Sequence, residues 1–397
     1  MKTEKRSLGA EIAEVVRQVT GNSGQTLPLH EPEFSGNEWA YVKECLDTGW
    51  VSSVGRFVER LENDLAAYTG SGYAVAVVNG TAALHIALLL SGVEPGEEVL
   101  IPSLTFVATA NAVSYCQAVP HFVDVDRLTL GLDPIRLHDY LHEIGERRAD
   151  KGLYNRKTGR RIRAVVPMHT FGHPVDMDAL LDVCQQYGLE VVEDAAESLG
   201  SKYKGKHTGT FGRFGALSFN GNKVVTTGGG GAVLTQDKKL AEMAKHLTTT
   251  AKLPHAWVYK HDRIGYNYRM PNINAALGCA QLEKLPEFLA RKRKLAEKYR
   301  EGFKAVSGIS FFSEPEHAES NYWLNAIILN EPDLQLRDEI LQETNKHGFL
   351  TRPIWTPLHL LPMYADCPRM ELTVTMELEG KVINLPSGPS IITREEL

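Results

Sequence analysis

A lysine held beside an aldehyde forms an imine, and Lys223 has the neighbours that such chemistry needs. It ends the stretch Ser218-Phe219-Asn220-Gly221-Asn222-Lys223, five residues after a hydroxyl and five before the glycine run Gly228–Gly231. Ser218 can reach a phosphate, and the glycines let backbone pass close to a flat ligand. Alone, a lysine reads more simply as a solvated surface charge. Asp194 stands 29 residues upstream, in Glu193-Asp194-Ala195-Ala196-Glu197-Ser198, where an otherwise apolar strand ends. A buried Asp is costly without a partner. A cationic ring nitrogen would serve, and so would a neighbouring loop. Asn79-Gly80-Thr81-Ala82 follows the apolar run AVAVV and opens a helix. Free N–H groups and the positive helix end make it an anion site, or, in the plainer reading, a helix capped by Thr81. Phe106 offers an aromatic face on which a ring could stack.

In chain order these are a phosphate turn, a ring-face partner, a partner for a pyridinium nitrogen and an imine lysine. Pyridoxal phosphate (PLP) requires this set, with the Asp keeping the ring nitrogen protonated so that the ring acts as an electron sink.

The elements that must position these residues alternate. Apolar strands are expected over 74–78, 97–102, 119–126, 163–170 and 189–198, with helices over 105–115, after Pro134 and over 175–188. Strands apolar throughout, separated by amphipathic helices, imply a mostly parallel sheet covered on both faces. In such sheets ligands bind beyond the carboxyl ends of the strands, which is where Asn79–Ala82, Phe106 and Asp194 fall. Strands ALSFN and GAVLT flank the Lys223 loop. Helices are also expected over 11–19, 37–47 and 55–68, long helices over 272–305, and a strand (323–329) and a helix (333–347) near the end. The Arg- and Lys-rich segment 141–163 reads as a solvated surface loop. The division expected is an N-terminal extension (1–30), a large cofactor domain (31–270) and a smaller α+β C-terminal domain (271–397).

The 397 residues carry a formal net charge of −6, with 43% hydrophobic and 23% charged residues. This fits a globular enzyme and gives no reason to expect nucleic-acid binding. The five cysteines are dispersed, with no CxxC pair and no metal-ligand spacing, as in a reducing cytoplasm. The start, MKTEKRSLGAEIAEVV, lacks an apolar signal core. No apolar run approaches the roughly 20 residues needed to cross a bilayer. The expectation is a cytoplasmic protein without a membrane segment. The end, SIITREEL, stops where a final helix should be starting, as a truncated chain would.

The blocks TGWVSSVGRFVERLE, NGTAALHIAL, SLTFVATANAV, VEDAAESLGS, SFNGNKVVTTGGGG and GYNYRMPNINAALG resemble the DegT/StrS family of PLP-dependent sugar aminotransferases. That resemblance, from about Leu29 nearly to the C-terminus, implies the aspartate aminotransferase-like fold (fold type I, α/β). SFNGNKxxTTGGGG and LHEPEFSGNEW are similar to the LegC-like branch, which aminates C4 of UDP-linked 4-keto-6-deoxy-N-acetylhexosamines. The resemblance implies Lys223 as the Schiff-base lysine and Asp194 as the pyridinium partner. Gly80, Thr81, Ala82 and Ser218 would hold the phosphate, Phe106 would stack on the ring, and Glu197 would lie near the phenolic oxygen. Asn267 would reach the phosphate in a neighbouring subunit, so a homodimer with shared sites is implied. Gly49, Trp50, Val51, Ser52 and Ser53, with Arg352, Pro353, Ile354, Trp355 and His359, would line the sugar-nucleotide site. Some members carry His at the lysine position and act as dehydratases; Lys223 argues for transamination, with L-glutamate the implied amino donor. A GDP-linked 4-keto-6-deoxyhexose, as in perosamine synthesis, is the alternative substrate. A non-catalytic regulator that kept the fold is the alternative from another class.

Overall fold

The computed structural model describes residues 7–22 and 24–397; residues 1–6 and 23 of the N-terminal extension lie outside the described residues. The chain opens with α1 (Leu8–Thr20), α2 (Glu38–Thr48) and α3 (Arg56–Thr69). Each ends at a glycine with left-handed backbone, Gly21, Gly49 and Gly70, at φ 63°, 74° and 71°. A Cβ is disfavoured at that φ, so these glycines stop the helices cleanly.

An alternation follows: β1 (Tyr73–Val77), α4 (Gly80–Leu90), β2 (Glu98–Pro102), α5 (Ala108–Tyr115), β3 (Val119–Val123) and α6 (Pro134–Ile144). Next come a small hairpin, β4 (Gly145–Arg147) and β5 (Leu153–Asn155), then β6 (Arg161–Val165), α7 (Met177–Tyr187) and β7 (Glu190–Asp194). The short pair β8 (Lys202–Tyr203) and β9 (Lys206–His207) leads to β10 (Phe214–Ser218), β11 (Gly231–Thr235) and α8 (Lys238–Thr248). The main sheet has the order β1-β11-β10-β7-β6-β2-β3. From β10 to β3 the pairing is parallel, while β11 pairs antiparallel with both β10 and β1. Two reversals restore the direction of β1. Its carboxyl end therefore opens on the same edge as those of β7 and β10, with Val77 and Ser218 both opposite Gly231. All five residues of β2 and of β11 are buried, as strands covered on both faces must be.

The C-terminal part contains α9 (Asn272–Phe303), β12 (Ile309–Phe311), β13 (Ala318–Glu319), β14 (Asn325–Leu329), α10 (Leu334–Lys346), β15 (Arg352–Pro353), α11 (Thr373–Glu379) and β16 (Val382–Leu385). Its sheet runs β12-β14-β16-β15, and β13 joins β8 of the larger part. The expected long helices over 272–305 are one helix of 32 residues with Pro286 inside it. The first half of α9 packs Ala275, Cys279, Leu282 and Phe288 against Phe57, Leu61 and Leu217. Its second half packs Leu295, Tyr299 and Phe303 against Ile12, Val16, Ile327 and Ile383. One helix thus serves both cores, and α1 belongs to the second.

Segment 141–163 is not the solvated loop its charges suggest. It holds the end of α6, the β4–β5 hairpin and the start of β6. Its charges face water in pairs such as Lys157–Glu143 at 2.9 Å. Leu153 and Ile162 are buried, and Asn155 and Thr158 donate to the buried Glu98 at 3.0 and 2.6 Å. Charge density masked the alternation that makes the hairpin. A smaller shift concerns α5, which starts at Ala108 and leaves Phe106 on the preceding turn. Among the described residues no helix is long and apolar enough to cross a membrane.

Candidate active site

Strand β1 delivers Asn79 to the head of α4. The Asn79 side chain accepts from Ala82 N–H at 2.8 Å, so the cap is Asn79 and not Thr81. Substituting such a cap costs about 1 kcal/mol. The cap leaves the Thr81 hydroxyl available beside the first N–H groups of the helix, which have no intrahelical partner. A Cβ on Gly80 would lie 2.9 Å from the Ser218 Cβ, and one on Gly231 2.6 Å from the Asn79 carbonyl carbon. The glycines therefore let Thr81, Ala82 and Ser218 converge from α4 and β10, a concave donor set suited to a phosphate.

Asp194 ends β7 and is buried. Its carboxylate accepts from the Thr109 hydroxyl at 2.8 Å and from Ala196 N–H at 3.2 Å. Burial pushes its pKa above the usual carboxylate value, despite those hydrogen bonds and the nearby charges of Lys223 and His169. Two donors do not saturate an ionised carboxylate, which can accept about four. An adjacent cation would complete it.

Lys223 reaches the same place from the loop after β10. Its Nζ donates to Glu197 Oε1 at 3.1 Å. The other Glu197 oxygen accepts from Phe171 N–H at 2.9 Å. Burial holds the Glu197 carboxyl up at about 7, outweighing the attraction of Lys223. The lysine nitrogen also lies 3.6 Å from the centroid of the Trp323 ring. A compact cavity joins Glu197, Ser218, Lys223 and Trp323. Phe106, on the turn after β2, is 52% exposed. An aromatic side chain so open has a face free for a flat ligand.

The other candidates fall into three groups. Loop Gly49–Ser53 is clamped to the head of α9: Asn272 donates its side-chain N–H to Trp50 O at 2.6 Å and its backbone N–H to Ser52 O at 2.7 Å. Asn274, two residues on, donates to Thr227 O at 2.7 Å, which ties α9 to the loop following Lys223. Trp50 and Val51 are exposed. Trp355 packs on Phe171, the residue whose N–H binds Glu197, with ring centroids 5.1 Å apart. His359 Nδ1 lies 2.7 Å from the Ser103 hydroxyl, beside the turn that carries Phe106; burial lowers its pKa. Pro353 is in edge strand β15. Arg352 is engaged with Asn345 Oδ1 at 3.1 Å, and no contact joins it to the Lys223 cluster. Asn267 is exposed and accepts from Arg269 Nε at 3.1 Å; nothing places it among its own chain's Lys223, Asp194 and Glu197.

Three contributors escaped the sequence reading. Thr109 supports Asp194 from α5, Phe171 supports Glu197 from a turn with φ 56°, and Trp323 covers Lys223 from the approach to β14. Only Trp323 carried a local signal, an indole in the polar stretch Ser320-Asn321-Tyr322-Trp323.

Residues 32–396 match the DegT/DnrJ/EryC1/StrS aminotransferase family. The chain is 38% identical to the GDP-perosamine synthase of Escherichia coli O157:H7, over 92% of this chain and 94% of that one. It is 37% identical to the GDP-perosamine synthase of Caulobacter vibrioides, over 90% and 91%. It is 39% identical to the putative pyridoxal phosphate-dependent aminotransferase EpsN of Bacillus subtilis, over 93% and 92%. Among solved structures, the aminotransferase TlmJ of Streptoalloteichus hindustanus superposes with TM-score 0.82 at 29% identity, covering 93% of this chain and 95% of that one.

Proposed function

The chain belongs to the DegT/DnrJ/EryC1/StrS aminotransferase family, and on that premise we propose that it transfers an amino group to C4 of a GDP-linked 4-keto-6-deoxyhexose. The observation that carries the substrate is near full-length similarity to two GDP-perosamine synthases. It moves the reading from the UDP-linked N-acetylhexosamine suggested by SFNGNKxxTTGGGG to the GDP-linked alternative. The intact Lys223, Asp194 and Thr81 set speaks against a non-catalytic regulator.

The cofactor is pyridoxal phosphate, which supplies an aldehyde that exchanges amino groups and a ring that takes up an electron pair. The underpaired Asp194, the glycine-lined cradle at Gly80 and the open Phe106 ring fit such a group. Thr81, Ala82 and Ser218 would bind its phosphate. Phe106 would fix the ring face, and Asp194 would hold a proton on the ring nitrogen. Lys223 would carry the cofactor carbon and, once displaced by the amino donor, move a proton at the reacting carbon. L-glutamate is the donor proposed. Glu197, poised near neutrality, would sit beside the phenolic oxygen and steady the lysine nitrogen.

Loop Gly49–Ser53, Trp355, His359, Arg352 and Pro353 would receive the sugar nucleotide. A homodimer in the cytoplasm completes the proposal. Asn267 would serve the partner's phosphate, and the segment before it exposes Trp257 at 81% and Ile264 at 85%, apolar surface suited to burial against a second copy.

The test is amination of GDP-4-keto-6-deoxymannose against UDP-4-keto-6-deoxy-N-acetylglucosamine, with L-glutamate as donor. Preference for the GDP sugar is expected. Turnover of the UDP sugar alone would restore the other substrate, and turnover of neither would remove the proposal.

A further inference from the structure

Trp323 comes from the C-terminal part of the chain, yet its ring faces Lys223. The lysine nitrogen lies 3.6 Å from the ring centroid and 3.1 Å from Glu197 Oε1. The indole N–H donates to the carbonyl of Asn222, the residue just before the lysine, at 2.7 Å. The backbone of Trp323 is itself held on both sides. Its backbone N–H donates to Asn321 Oδ1 at 2.7 Å, and its carbonyl accepts from the buried Lys292 Nζ at 3.2 Å. Asn321 in turn donates to the carbonyls of Glu197 and Leu199 at 2.9 and 3.0 Å. The other side of the same amide lies against the backbone of Gly172, where a Cβ would fall 1.9 Å from Asn321 Oδ1. One side-chain amide therefore fixes both the acid and the aromatic ring that flank the lysine.

A Trp serving only the core would have no need to bond the backbone beside Lys223 or to present its face to the charged atom. We propose that Trp323 is a positioning residue for Lys223: its ring face holds the free ammonium beside Glu197 whenever the lysine is not bound to the cofactor. An aromatic face suits this task. It attracts a cation without a fixed hydrogen-bond direction, so the nitrogen can slide along it and return to the reacting carbon. A second carboxylate would trap it. A lysine stem with four rotatable carbons would otherwise spread over many rotamers. The inference rests on Lys223 being the cofactor lysine.

The experiment uses the holoenzyme and the donor half-reaction alone, followed by stopped-flow absorbance after mixing with L-glutamate. Trp323→Met keeps bulk without a ring face, and Trp323→Phe keeps a face without the indole N–H. The Met variant should react about tenfold more slowly, the size of one buried cation–π contact. The glutamate concentration giving half the maximal rate should change less than about threefold. The Phe variant should recover most of the lost rate. Affinity for pyridoxal phosphate, titrated by absorbance, should stay within about threefold in both.

A wild-type rate in Trp323→Met would overturn the proposal. So would equal losses in Met and Phe accompanied by weakened cofactor binding, which is what a purely structural role gives. Should Trp323→Met not fold, Trp323→Phe decides through its own split: a modest fall in rate at constant affinity supports the proposal, and a fall in affinity alone overturns it. Borohydride fixation with peptide mapping separates the two levels. Label on Lys223 keeps the underlying reading, and label elsewhere removes that reading and the proposal with it.

Discussion

Glu193 and Asp194 are neighbours at the end of β7, both buried, and they have opposite fates. Glu193 accepts from His169 Nε2 at 3.1 Å and from the N–H groups of Gly209, Phe211 and Gly212 at 2.7, 2.6 and 2.7 Å. Burial works against its charge, but the His169 contact and those N–H groups win and hold its carboxyl below the usual value. Asp194 has the two donors described above, and burial wins. The difference separates scaffold from site. An acid saturated by its own chain stabilises the fold. One left short of partners costs free energy unless something from outside completes it, and here a pyridinium would.

The largest effect should come from exchanging the two fates. Glu193→Ala leaves three N–H groups and His169 without an acceptor, and should lower unfolding stability by at least about 3 kcal/mol in chemical denaturation. Asp194→Asn should leave stability within about 1 kcal/mol while lowering kcat a hundred- to about a thousandfold, the scale of losing one preorganised electrostatic partner. If both variants lost stability alike, the contrast between the two acids would fail.

Glu197 gives a pH-dependent version of the same contrast. Its carboxyl is raised from 4.5 to about 7. It therefore favours the folded chain fully below pH 4.5, and that contribution is lost as pH climbs through 7. Glutamine does not titrate there. The unfolding midpoint of cofactor-free Glu197→Gln, minus that of wild type, should rise between pH 4.5 and 7 and then level off. A flat difference would contradict the shift. Glu193 should show the opposite sign, with stability present above its ordinary pKa and lost only in acid.

Thr109→Val removes the side-chain donor to Asp194. Activity should fall about tenfold, the worth of one hydrogen bond to a charged group. Phe106→Leu should have the smallest effect, weakening cofactor binding about fivefold through a lost ring contact of roughly 1 kcal/mol. Steady-state turnover checks the first, and titration of the apoprotein with pyridoxal phosphate checks the second.

The sequence made the contributors on one strand end or one loop legible. Asp194, Lys223, Ser218 and Gly80–Thr81 each sit where an apolar run stops, and the rule for strand carboxyl ends gathers them. Thr109 and Phe171 were invisible, and Trp323 was marked only by an indole in a polar stretch, because their roles depend on which segments tertiary packing brings together. The direction of β1 was correctly expected, but its pairing with β11 was not: that contact spans more than 150 residues of chain, and no local pattern encodes it. The β4–β5 hairpin was hidden because Glu146, Arg147, Arg148, Asp150 and Lys151 crowd its first strand and turn with charge. The nucleotide was the least legible feature, since short blocks pointed to UDP while near full-length similarity points to GDP.

The central claim is that Asp194 awaits a cation, and the nitrogen-15 NMR shift of ring-labelled pyridoxal phosphate bound to the full chain tests it most directly. A protonated ring nitrogen is predicted in the wild type, and a neutral one in Asp194→Ala. A neutral nitrogen in the wild type, or a protonated one that persists without Asp194, would contradict the account.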